Sequence, residues 1–143
     1  MSADRIRRTP ASGPAAPLPK VGLVAALLSA LAAFGIAWAL RHFAIEPAAI
    51  AHACDPAPWA GACAGRTLVI LTFVNQEIGW FAFAAGALAT LLRSRVLAAT
   101  ALACGAAGLV LYSYEPAGAG ALLGLLVLVR ANAQAASASI SAA

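Results

Sequence analysis

Long apolar runs alternate along this chain with short polar interruptions. Residues 21–40 carry no charge, and twenty residues rising 1.5 Å each cover roughly the 30 Å of a hydrocarbon core. Polar character then dominates 41–66, where Pro47, Pro56, Pro58, Gly61 and Gly65 oppose a continuous helix. The apolar pattern resumes at Thr67 and runs to Leu92, broken by Asn75, Gln76 and Glu77. Counted back from Arg93, a full span reaches Phe73, so the second span is predicted at 73–92, with 67–74 continuing above the membrane or along its surface.

Arg93, Ser94 and Arg95 leave room only for a tight helical hairpin. The third span, 96–114, is predicted to stop at Glu115, because Pro116 disfavours helical geometry in the residue before it. Pro116 itself suits the first turn of a fourth helix at 116–134. The uncharged part of that helix, 117–129, covers only about 20 Å. It reaches full length if Arg130 extends its side chain to the headgroups; a re-entrant final segment is the alternative.

The predicted fold is therefore an all-α membrane protein, a four-transmembrane-helix bundle with short hairpin links and one outer loop. Its parts are a basic, proline-rich arm at 1–20 expected to be disordered, a membrane domain at 21–134 and a low-complexity tail at 135–143. Composition supports this class: 63% of the 143 residues are hydrophobic and 10% charged, against about a quarter charged in a soluble domain. Alanine and leucine abundance favours helix over barrel strand. The basic start before an apolar run resembles a signal peptide, but the run exceeds the usual apolar core of one and the best cleavage site, at Ala51 to Ala53, lies too far on.

The net charge of +4 invites a nucleic-acid reading, which the placement of the charges opposes. Of the nine basic residues, all but Arg41 and Arg66 fall before the first span, between the second and third, or beyond the uncharged run 117–129 of the fourth. Of the acids, only Asp4 lies on that side. This is the positive-inside pattern; it predicts both termini in the cytosol, with 41–66 outside, in a bacterial inner membrane. No basic and aromatic patch points to nucleic acid.

Small residues recur four apart: Ala25, Ser29 and Ala33; Ala82 and Gly86; Ala101 and Gly105; Gly120 and Gly124. In lipid such faces let backbones approach closely, so they are predicted to form the helix seams.

Cys54 and Cys63 are predicted to form a disulfide that closes the proline-rich outer loop. A redox pair is the functional alternative, although the second cysteine pair expected of quinone-linked thiol chemistry is missing. Cys104 reads as a small buried residue. His42 and Glu46 have helical i, i+4 spacing, and His52 and Asp55 share the loop, but no anchoring pair marks a metal site, and none is expected. The residue with most promise is Glu77, since a carboxylate inside a span is costly and normally faces protein or water and pairs with something. The expected site is a polar cluster of Glu77, Arg41, Arg66, His42, Tyr112, Tyr114 and Glu115, with Glu77 paired to Arg41 or Arg66. A helix start with an interfacial aromatic belt of Trp80, Tyr112 and Tyr114 is the plainer reading.

No nucleophile motif, phosphate loop or cofactor signature is present, and no cofactor is expected. The function expected is that of a non-catalytic accessory subunit or assembly factor, which packs in the bilayer against a membrane-protein partner or itself. The alternatives are a small oligomeric transporter or lipid-handling protein using the Glu77 region, and a quinone-linked thiol redox enzyme.

Overall fold

A computed structural model describes residues 19–141, and every described element is helical. Helix α1 (Pro19–Leu40) runs directly into a π-helical turn at Arg41–Ile45. A short α2 (Ala48–Cys54) follows, then α3 (Ala62–Val74), α4 (Glu77–Leu92), α5 (Arg95–Val110) and α6 (Tyr114–Ser141).

The interior is built from small residues and the exterior from large ones. Ala82, Ala89, Ala98, Ala101 and Ala117 have no exposed surface, while Leu31, Ile36, Phe81, Leu91 and Leu122 are all more than half exposed. Water would penalise such an arrangement, because apolar area left exposed forfeits the main driving force of folding. Lipid does not, and packing between small residues then holds the helices together. Hydroxyls on these helices follow the same logic. Ser29, Thr72, Thr90 and Thr100 each donate to a carbonyl oxygen one turn back, at 2.6–3.0 Å, so none needs water.

Helices α4, α5 and α6 form the tight core. A methyl group on Gly86 would lie 2.8 Å from the Gly120 carbonyl oxygen, and one on Gly120 would lie 2.5 Å from that of Ala82. Gly105 sits as closely on Ala117 and Ala121, and Gly124 on the carbonyl of Ala98. The glycine seams expected from spacing are thus real contacts. Helix α1 differs. Its buried face is Ala26, Ala30 and Ala37, one position round from the expected face, on which Ala25 and Ser29 are exposed. Four-residue spacing cannot choose between adjacent alanine stripes; the partner helix α5 does.

These contacts fix direction. Ala26 packs with Ala89, Ala98 and Leu128, and Ala37 with Val110 and Leu111. The start of α1 therefore lies at the same end as the 93–95 link, called here the hairpin end. Arg95 is level with Ala131, since its Nη2 donates to that carbonyl oxygen at 3.0 Å. The last ten residues of α6 run on beyond this point, about 15 Å further. At the opposite, loop end, Cys54 and Cys63 are joined, with Cα atoms 5.4 Å apart, as predicted.

Two helices, Gly22–Ile45 and Tyr114–Ser141, are long and apolar enough to cross a membrane. Ala62–Val74 with Glu77–Leu92 makes a third if this pair, bent by 54°, is one span. Helix ends differ from the expected span ends. The second span is predicted at 73–92; α4 starts at Glu77, because Gln76 adopts a left-handed conformation (φ 55°) that breaks the chain direction. The third is predicted at 96–114; α5 ends at Val110 in a left-handed cap. Tyr112 has φ 65°, and the Ser113 N–H closes back on the Gly108 carbonyl at 3.0 Å. Helices α4 and α5 are each 16 residues, about 24 Å, shorter than a full crossing. The fourth, placed at 116–134, starts at Tyr114 and continues to Ser141, so most of the stretch set apart as a tail is helical. Within 41–66, expected to be a loop, lie the π turn, α2 and the start of α3, with Arg66 inside α3. The arm at 1–20 lies outside the described residues except for Pro19 and Lys20, which open α1.

Candidate functional site at the loop end

The π turn decides the geometry here. On an α-helix, residues five apart are turned about 140° from each other. The π turn instead bonds residue i to i+5, and the Glu46 N–H donates to the Arg41 carbonyl oxygen at 2.9 Å. Arg41 and Glu46 thereby come to one face, and Arg41 Nε donates to Glu46 Oε1 at 2.7 Å. The guanidinium beside Glu46 holds its carboxyl below the ordinary carboxylate value.

Arg41 has two further partners. Its Nη1 donates to the Val110 carbonyl oxygen at 3.0 Å, satisfying one of the carbonyls left open where α5 ends. Its guanidinium also lies 4.2 Å from the ring centre of Tyr112. Tyr112 occupies the left-handed position of the α5 cap, where glycine is usual. Holding Arg41 accounts for a large side chain there. Tyr114 meets the Tyr112 ring edge to face at 6.0 Å. His42 stacks on Trp38 at 4.4 Å, and its Nδ1 lies 3.1 Å from the Trp38 carbonyl oxygen; its Nε2 is 3.8 Å from Glu46.

Arg66 reaches this layer from α3. Its Nη2 donates to the Ile45 carbonyl oxygen at 3.2 Å, and its Nε is buried with no hydrogen-bond partner among the described residues. The structure thus brings together Arg41, His42, Tyr112 and Tyr114, with Arg66 at the edge. It leaves out Glu115, exposed in the first turn of α6.

Contrary to the expectation from sequence, Glu77 pairs with neither Arg41 nor Arg66. Arg41 is taken by Glu46, and Glu77 has no ion-pair partner among the described residues. Glu77 instead opens α4, where the positive helix end favours a carboxylate. It faces a groove of about 360 Å³ between α1, α4 and α5, beside Thr72, Ala103 and Cys104. Sequence reasoning missed Glu46 as the partner of Arg41 because an α-helical period pairs Glu46 with His42. No residue pattern marked the π turn.

Within the loop-end segment, Thr67 Oγ1 donates to the Pro58 carbonyl oxygen at 2.7 Å, a second tie across the disulfide loop. His52 lies 3.7 Å from Asp55, both well exposed. No group of three or more His, Cys, Asp or Glu among the described residues is placed to hold a metal ion. The chain matches no protein-family model, no curated protein and no solved structure. Only its own residues therefore bear on its function.

Proposed function

We propose that this protein is a non-catalytic subunit or assembly factor of a larger membrane complex, which receives a partner helix in the groove between α1 and α5. One observation carries the reading. Beside the seam of these helices runs an open groove of about 510 Å³, whose walls include Gly22, Ala25 and Ser29 of α1 and Ala99, Thr100 and Ala103 of α5. Small residues facing lipid on both walls leave a concavity that another helix fills with close packing better than mobile acyl chains do. The bundle's other faces carry bulky side chains such as Phe81, Leu88, Leu122 and Leu126.

In this reading the chain crosses a bacterial inner membrane four times, through α1 with its π turn, α4, α5 and α6, with both termini in the cytosol. Charge placement supports the orientation. The full-length packing of α4 and α5 on α6 supports their crossing beside it despite their length, since modest hydrophobic mismatch is tolerated.

Purification of the tagged full chain in a mild detergent tests the proposal. A stoichiometric membrane partner is expected, lost on Ala99→Leu or Ala25→Leu while the bundle stays folded. Purification as a single species, with no effect of either leucine, would rule the reading out. A second reading, a small oligomeric transporter, draws on the groove beside Glu77. It predicts a homo-oligomer in which Glu77→Gln assembles normally and transports nothing.

A further inference from the structure

We propose that the cavity between α4, α5 and α6 at the hairpin end binds the phosphate of an anionic phospholipid through Arg93, Arg95 and Arg130. The cavity measures about 610 Å³. Its three arginines come from three different places. Arg93 stands in the left-handed turn that ends α4 (φ 51°), Arg95 opens α5, and Arg130 projects from α6. Their convergence is a product of the fold and is distinct from the charge bias that orients a membrane protein.

The charges are uncompensated among the described residues. Arg95 uses Nη2 on the Ala131 carbonyl and keeps its other donors, while Arg93 and Arg130 enter no ion pair. The carboxylates of the described residues are Glu46, Asp55, Glu77 and Glu115, and none of them lines this cavity. Three like charges lining one cavity repel each other, and an anion accepting hydrogen bonds from them relieves that repulsion. The first turn of α5, a 16-residue helix, adds its positive end to the same field.

The rest of the lining identifies the kind of anion. Leu123, Leu126 and Val127 line the cavity one to two turns nearer the bundle centre than Arg130. A phosphate at the arginines therefore leaves its acyl chains beside leucines at hydrocarbon depth, which a free phosphate could not exploit. Basic pockets between transmembrane helices are general receivers of anionic headgroups. The inference needs the chain to lie in a bilayer and is independent of the partner helix proposed above.

The test uses the full chain, stripped of lipid in an uncharged detergent. Thermal unfolding is followed with added phosphatidylglycerol, with phosphatidylcholine, and with inorganic phosphate at matched ionic strength. Phosphatidylglycerol is expected to raise the melting temperature, and the other two to leave it unchanged. Arg93→Gln with Arg130→Gln is expected to weaken the phosphatidylglycerol response on the order of 30-fold in concentration, at about fivefold per basic residue near the surface. Arg95 is left intact because it ties α5 to α6. Should the double variant fail to fold, Arg130→Gln alone, on an exposed face of α6, is expected to weaken the response about fivefold. An equal response to phosphatidylcholine, or an unchanged response in the variants, would overturn the site. An equal response to inorganic phosphate would overturn its assignment to a lipid.

Discussion

Arg41 and Glu46 lie five residues apart and meet at 2.7 Å because the turn between them is π-helical. From that position Arg41 also reaches the Val110 carbonyl, so one side chain joins the end of the first long helix to the end of the fifth. Double-mutant cycles on stability in detergent should therefore find coupling between Arg41→Ala and Glu46→Gln. The pair Arg41→Ala with Glu77→Gln should be additive. Coupling to Glu77, with none to Glu46, would show that the π turn does not hold in the membrane.

Acid should loosen the same end. The folded-state pKa of Glu46 is depressed, chiefly by its hydrogen bond from Arg41, so its contribution is fully present above the ordinary carboxylate value of 4.5. It is lost as pH falls through the lower folded value. Corrected for the pH dependence of intrinsic amide exchange, protection in the π turn should fall as the pH drops below 4.5 in the wild type. Glu46→Gln should show the lower protection already at neutral pH, and a flatter response to acid around this turn.

Two glycines should answer oppositely to the same substitution. A methyl group at Gly120 would meet the backbone of Ala82, whereas one at Gly35 meets nothing within 4 Å. Gly120→Ala should destabilise the bundle by about 1–3 kcal/mol through overpacking. Gly35→Ala should be neutral or stabilising by up to roughly 1 kcal/mol, from the better helix propensity of alanine. Thermal unfolding of both variants in one detergent makes the comparison, and equal effects would mean that α4 and α6 are not in backbone contact.

Mass spectrometry of the intact, unreduced protein should find Cys54 joined to Cys63 and Cys104 free. Closing so short a loop should stabilise this segment by about 2–3 kcal/mol. Because α2 packs chiefly on the π turn and not on the α4, α5 and α6 core, Cys54→Ser with Cys63→Ser should expose 47–66 to protease and leave that core protected. Loss of protection throughout would show that the loop is structurally coupled to the bundle.

The sequence by itself determined the class of this protein, its helical content and the disulfide, because hydrophobic run length, alanine-rich composition and cysteine spacing are local properties. It also marked the seams of α4, α5 and α6, since Gly86, Gly105 and the pair Gly120 and Gly124 each single out one face of their helix. It could not choose among the alanine stripes of α1, where several faces are equally small and only contact with α5 selects Ala26, Ala30 and Ala37. Helix ends eluded it at Gln76 and Tyr112, where non-glycine residues take left-handed conformations that no residue pattern marks. Of the polar residues expected at one end, Arg41, His42, Tyr112 and Tyr114 come together, but Glu77 and Glu115 do not join them, and none of the bonds was legible. Glu77 was the obvious partner for an arginine by depth in the membrane. The π turn gave Arg41 to Glu46 instead, because a change in helical pitch moves side chains between faces without any change in the residues themselves.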